Sequence, residues 1–97
     1  MKVDYDQQAD ALYITLTAGA EVARTVQIDQ GTLVDLDSRG RLIGVELIRP
    51  ARPWPLNEIL GRFPADYVDA RLLRLLERAA GGGRTFTYTE PVRLVSA

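Results

Sequence analysis

Three aspartates and two tyrosines lie close together near the amino terminus: Asp4, Asp6 and Asp10 with Tyr5 and Tyr13. Paired carboxylates divide the roles of general acid and general base when their surroundings separate their pKa values. That separation needs an apolar pocket, and the sequence shows none around these residues. Aspartate is also common in turns, where its side chain accepts hydrogen bonds from backbone amides. We therefore favour a structural role, and keep Asp4, Asp6, Asp10 and Tyr13 as candidate ligand-binding residues.

A second group of oxygen ligands resembles a calcium loop. Asp35, Asp37, Gly40 and Glu46 stand at the first, third, sixth and twelfth positions of the EF-hand pattern. Arg39, however, occupies the fifth position, where the pattern needs an oxygen, and the flanking residues are typical of strands rather than helices. The segment is better explained as a hairpin turn with solvated carboxylates. We predict no metal site and no cofactor.

The composition excludes several kinds of catalytic machinery. The chain contains no cysteine and no histidine, so Ser-His-Asp triads, Cys-His pairs, disulfides and ordinary zinc sites are ruled out within it. Twelve basic and thirteen acidic residues leave a formal charge of −1, which gives no overall attraction to nucleic acid or anionic membranes. We assign no catalytic residues and expect a protein without enzymatic activity.

A basic and aromatic set suggests phosphate or base binding: Arg39, Arg41, Arg49, Arg52, Arg62, Trp54 and Phe63. The segment from Pro55 to Ala80 also has the outline of a helix-turn-helix. Against this interpretation, the second helix has a broad apolar stripe, and the net charge is slightly negative. We therefore do not expect a nucleic-acid partner.

The elements that position these side chains form a single domain of 97 residues, 46% of them hydrophobic. Apolar and polar residues alternate with period two through residues 1–49, which predicts strands near residues 2–5, 11–17, 25–29, 32–37 and 42–49. Turns at residues 29–31 and 37–40 have the glycines that tight turns need. We predict an antiparallel β-meander of about five strands.

We predict that residues 50–97 form a helical extension with a final strand. Proline-rich residues 50–55 predict an extended connector, followed by a short helix over residues 56–60. A longer helix begins near Pro64, and its predicted sheet-facing stripe comprises Val68, Leu72, Leu75, Leu76 and Ala79. Alternation around Phe86 and Tyr88, and again over residues 92–95, predicts a C-terminal strand that pairs either in its own sheet or with a second copy. The fold class is α+β, with the helices packed on one face of the sheet.

Trp54 lies between two prolines and has two interpretations. A tryptophan held in this way is a rigid anchor for a partner protein. It also suits a segment that folds back over the sheet and covers the core, since large aromatic side chains are mostly buried. We favour the second interpretation and keep the first.

The first half of the chain resembles the small bacterial DUF2283 family, a domain of unknown function, over about residues 3–48. The resemblance rests on Tyr5-Asp6, the Ala-Asp-Ala-Leu-Tyr-Ile-Thr-Leu run of residues 9–16, Asp35-Leu36-Asp37 with Gly40, and the Leu-Ile-Gly-Val-Glu-Leu run of residues 42–47. It implies the same sheet and supplies no catalytic residues. The segment from Pro50 onward is longer than the family's short members lead us to expect.

These observations favour a non-enzymatic protein-interaction module that forms a homodimer and engages another protein, with an antitoxin-like role as its more specific form. The candidate contact residues are Trp54, Phe63, Phe86 and Tyr88. The alternative is a small-molecule-binding protein or weak enzyme that uses the Asp4, Asp6, Asp10 and Tyr13 region. With neither a secretory signal nor an apolar run of about 18 residues, we expect a cytoplasmic protein without a membrane partner.

Overall fold

The computed structural model describes residues 1–81 and the backbone of residues 92–93. Its strands are β1 (Lys2–Asp6), β2 (Ala11–Thr15), β3 (Arg24–Asp29), β4 (Thr32–Leu36), β5 (Leu42–Ile48) and the two-residue β6 (Val92–Arg93). The helices are α1 (Leu56–Arg62) and α2 (Tyr67–Ala80). The predicted α+β fold, with five antiparallel strands followed by two helices, is confirmed.

The order of the strands differs from the predicted meander. Across the sheet it is β3-β4-β5-β2-β1-β6, so β2 pairs with β5 and not with β3. Eight residues separate β2 from β3, which lets the chain cross to the far edge instead of turning back. Every residue of β3 stays exposed or half-exposed, whereas β2, β4 and β5 each bury several side chains. The least apolar of the three consecutive strands β3, β4 and β5 therefore occupies the edge.

One face of the sheet is apolar and covered. Strand alternation directs Val3, Tyr5, Leu12, Ile14, Val34, Leu36, Val45 and Leu47 to this face, and all are buried. Leu56 and Ile59 of α1 and Leu73 of α2 complete the same core cluster. The prediction that the helices pack on one face is confirmed, and among residues 1–81 neither helix covers the opposite face, which we call the open face.

Helix α1 ends later, and helix α2 begins later, than the sequence predicted. α1 continues through Gly61 to Arg62. α2 begins at Tyr67 rather than just after Pro64, because the Pro64 carbonyl accepts a hydrogen bond from the Leu42 amide at 2.9 Å and is tied to the start of β5. Within the described residues, neither helix is of the length and apolar character that crossing a membrane requires.

The stripe predicted to face the sheet from α2 is wrong in most of its members. Leu73 and Ala80 are the fully buried side chains, while Val68 is 57% and Leu75 54% exposed. The buried positions form a stripe rotated by about 100° from the predicted one. Both stripes satisfy helical spacing, so periodicity alone could not choose between them. Of the predicted set, Leu76 packs partly against the core.

The C-terminal strand is described at two residues only. Lys2 pairs with Arg93 and Val3 with Val92, which places β6 beside β1. Phe86 and Tyr88 lie outside the described residues. The predicted strand, and whether it pairs within one chain or between two, stays a prediction.

Candidate functional site

The open face of the sheet brings side chains from four strands together, three of them polar. Asp4 on β1 lies opposite Tyr13 on β2, and Tyr13 lies opposite Glu46 on β5. Glu46 in turn faces Leu33 on β4. These side chains are half-buried.

Tyr13 crosses β5 to reach Asp35. Its hydroxyl donates to Asp35 Oδ2 at 2.5 Å, and the Thr25 hydroxyl donates to Asp35 Oδ1 at 2.6 Å. The ring passes directly over Gly44, where an added Cβ would stand 2.6 Å from the Tyr13 hydroxyl oxygen. Gly44 is therefore needed for the close approach of the ring, and the network joins strands β2, β3 and β4.

This network favours a neutral tyrosine rather than a reactive one. Burial and the hydrogen bond to the Asp35 carboxylate raise the pKa of Tyr13 to about 12. Both Asp35 oxygens already accept hydrogen bonds, so the carboxylate is committed to holding the sheet face together. The arrangement suits a structural clasp across three strands.

The candidate ligand residues near the amino terminus are placed in separate surroundings. Asp4 and Tyr13 share the open face. Asp6 accepts hydrogen bonds from the amides of Gln8 and Ala9 at 3.0 and 3.2 Å, as expected for a turn. Asp10, at a positive φ of 48°, accepts the Tyr5 hydroxyl at 2.6 Å, and Tyr5 points into the covered face. The fold does not bring Asp4, Asp6, Asp10 and Tyr13 into one site.

The calcium-like residues form a hairpin. Asp37 Oδ1 accepts the amides of Arg39 and Arg41, each at 2.9 Å, and Gly40 takes the left-handed conformation with φ of 77°. Asp35 belongs to the tyrosine network. Through residues 1–81, no three acidic side chains converge as a cation site requires.

Trp54 and Phe63 belong to the core, where they are 5% and 7% exposed. The Trp54 indole donates to the Pro50 carbonyl at 2.8 Å, and its backbone amide donates to Glu77 Oε2 at 2.8 Å. The connector thus folds back and ties α2 to the sheet, as the favoured interpretation of Trp54 expected. Phe63 stacks beneath the Arg62 guanidinium, 5.0 Å from the ring centre.

A polar corner at the β3–β4 turn is also structural. Arg52 donates to the Ile48 carbonyl at 2.9 Å and to the buried Thr32 hydroxyl at 2.9 Å. Burial alone would raise the pKa of Asp29, but hydrogen bonds from Thr32 and the Gly31 amide, together with the Arg52 charge, outweigh burial and lower it. These contacts fasten the connector to the turn.

The outer side of α2 is the most apolar exposed surface described. Val68, Leu72, Leu75 and Ala79 recur at i, i+4, i+7 and i+11, and we call these four residues the α2 flank. Of the five large hydrophobic side chains exposed among residues 1–81, α2 supplies three: Tyr67 at 74%, Val68 and Leu75. Sequence reasoning assigned this stripe to the core, although the competing Leu73–Ala80 spacing was already visible.

Three arginines run beside the α2 flank. Arg71, Arg74 and Arg78 line a shallow groove together with Leu75, and we call them the arginine stripe. Arg71 lies over the Tyr67 ring at 5.8 Å, and Arg74 donates to Asn57 Oδ1 at 3.1 Å. Through residues 1–81, none of the three forms an ion pair.

Comparison with known proteins identifies the first half of the chain. Residues 2–49 match the model of DUF2283, described as a protein of unknown function. Over this stretch, just under half of its length, the chain is similar to DUF2283. The predicted resemblance is confirmed, with each boundary one residue wider than expected. No curated protein and no solved structure matches the chain. The DUF2283 match covers β1 to β5 and ends before α1, so the α2 flank and the arginine stripe lie outside it.

Proposed function

We propose that this chain is a non-enzymatic protein-interaction module whose contact surface is the α2 flank. The observation that supports the proposal is the exposure of Val68 and Leu75 on one side of a helix whose adjacent side packs against the sheet. Burying a side chain of this size completely is worth about 1.5–3 kcal/mol. Burying the exposed half of each therefore offers a partner roughly 1 kcal/mol per side chain.

The positions of the other aromatic candidates direct the proposal to α2. Trp54 and Phe63 contact the core and are not available to a partner in this conformation. The carboxylates suggested for the small-molecule alternative are distributed over a turn and two faces of the sheet. No contact among residues 1–81 bears on an antitoxin-like role.

Affinity capture with matched surface variants tests this proposal. The chain is expressed at its native level, and proteins that co-purify are quantified by mass spectrometry for the wild type, for Val68→Asp combined with Leu75→Gln, and for Val22→Asp. Val22 is 48% exposed and lies outside α2, so it matches Val68 in type and exposure. We expect a stoichiometric partner that the α2 variant loses and the Val22 variant keeps.

The same proteins are compared by circular dichroism and by light scattering after gel filtration. A partner that survives the α2 substitutions, with the fold intact, would contradict the proposal. A wild-type dimer that the α2 variant converts to a monomer would identify the partner as a second copy, in line with the predicted homodimer.

A further inference from the structure

We infer that the α2 flank and the arginine stripe together dock an acidic amphipathic segment of a different protein. The inference rests on the proposed function and adds the chemistry of the partner. Each arginine precedes a flank residue by one position: Arg71 before Leu72, Arg74 before Leu75, and Arg78 before Ala79. The two stripes therefore run side by side along the helix, about 100° apart.

This geometry fixes the pattern that a partner must present. A segment that covers Leu75 and Val68 with apolar side chains brings its neighbouring stripe against the arginines. Arg71 to Arg78 spans two helical turns, or roughly 10 Å, so acidic side chains at helical spacing match the guanidinium groups. An amphipathic helix with leucines on one stripe and glutamates on the next meets both requirements.

Within residues 1–81, the acidic side chains around the arginine stripe have other partners. Glu58 and Asp66 pair with Arg62 and Arg41 at 3.1 and 3.0 Å. Asp69 lies on α2 two positions before Arg71, but the charges that act on it are those of Asp66, the amino terminus and Arg41, not those of the arginine stripe. Glu77 accepts the Trp54 amide on the core side of α2. Among residues 1–81, Arg71 and Arg78 therefore form no ion pair with a carboxylate. Arg74 donates a hydrogen bond to the side-chain amide oxygen of Asn57.

Two other occupants fit less well. A nucleic-acid backbone would leave the apolar flank uncovered, and the net charge of −1 does not attract a polyanion. A second copy that paired α2 with α2 in antiparallel, two-fold fashion would bring identical flanks together. The two arginine stripes would then face each other, which is unfavourable for like charges.

Binding of designed peptides to the full chain tests the inference. The probe is a fluorescein-labelled 15-residue helix with leucines on one stripe and glutamates on the adjacent stripe, followed by fluorescence anisotropy. Its control replaces each glutamate with glutamine. Because exposed ion pairs contribute modestly, we expect the glutamate peptide to bind about tenfold more tightly. Raising the salt from about 0.05 M to about 0.5 M should remove most of that preference.

Charge reversal on the protein provides the specific readout. Arg71→Glu with Arg78→Glu should lose the preference for the glutamate peptide and gain one for a lysine version. Arg24→Glu with Arg39→Glu, two exposed arginines outside α2, should behave as the wild type. A glutamate preference that persists in the α2 variant would contradict the inference.

Three further results would overturn it: absence of binding to either peptide, tighter binding to a DNA duplex of the same length, or nuclear Overhauser contacts in the free protein between the Leu75 methyl groups and Phe86 or Tyr88. If the peptides fail while the captured partner still depends on Val68 and Leu75, the contact surface stands and only the proposed partner chemistry is wrong.

Discussion

Replacing Gly44 with alanine should disrupt the hydrogen bonds that join Tyr13 and Thr25 to Asp35 on the open face. The added Cβ would stand 2.6 Å from the Tyr13 hydroxyl oxygen, 3.2 Å from Tyr13 Cζ and 3.4 Å from Asp35 Oδ2. The nearest atom belongs to a side chain that can rotate away, so we expect the ring to move and the strand to keep its path. The movement separates the Tyr13 hydroxyl from Asp35.

The size of the effect follows from two opposing contributions. A hydrogen bond to a charged group contributes about 1.5–3 kcal/mol. Alanine recovers about 0.4–1 kcal/mol, because it lowers the entropy of the unfolded chain where its backbone conformation is allowed. Gly44 does not have a positive φ, so that gain applies. The free energy of unfolding should therefore fall by about 1–2 kcal/mol.

A double-mutant cycle with Tyr13→Phe isolates the cause. Urea unfolding is followed through the fluorescence of Trp54, the single tryptophan and 5% exposed. Phenylalanine lacks the hydroxyl, so Gly44→Ala should be nearly neutral in that background, giving a coupling energy of about 1 kcal/mol or more. An equal loss of stability in both backgrounds would refute the clasp and indicate a clash with the strand itself.

Two further predictions concern the core and the tyrosines. Leu73→Ala should lower the free energy of unfolding by about 2–5 kcal/mol, because Leu73 is fully buried. Leu75→Ala should change it by less than about 1 kcal/mol, because Leu75 is exposed. Comparable losses for the two variants in thermal or urea unfolding would contradict the assignment of the buried and exposed sides of α2. The pKa of Tyr5 is raised to about 12, mainly by its hydrogen bond to Asp10, and that of Tyr13 likewise, mainly by burial. The fold therefore stabilises both neutral hydroxyls, a contribution that is complete below pH 10.0 and lost as pH rises through about 12. In an ultraviolet titration Tyr13→Phe should remove one late tyrosinate step, and an unchanged late step would contradict this assignment.

Period-two alternation was sufficient to predict the sheet because the strands have one covered and one open face. Leu12, Ile14 and Val34 are fully buried as predicted. Alternation predicts on which face of the sheet a side chain lies, but it does not predict which strands are neighbours. The pairing of β2 with β5 was therefore missed. That pairing depends on the path of residues 16–23, and their sequence does not indicate whether β3 returns beside β2 or crosses to the far edge of the sheet.

The candidate site was harder to predict because its contacts join strands distant in sequence. Tyr13 and Asp35 are 22 positions apart, and they meet only because β5, with Gly44, lies between their strands. The outward phase of both residues and the glycine in an apolar strand were the available signals. On α2, two apolar stripes of equal spacing competed, and tertiary packing selected Leu73 over Val68 and Leu75.

The DUF2283 match ends between the strands that form the sheet and the helices that cover it. Residues 2–49 supply the sheet, and an apolar sheet face is stable in water only when a second layer covers it. In this chain that layer is made by residues outside the match, through Trp54, Ile59 and Leu73. Because covering the sheet uses only one side of α2, the same helix leaves Val68, Leu75 and the arginine stripe exposed among the described residues. The surface proposed for partner binding thus arises from the segment that completes the fold, and it differs in chemistry from the polar face of the sheet formed by residues 2–49.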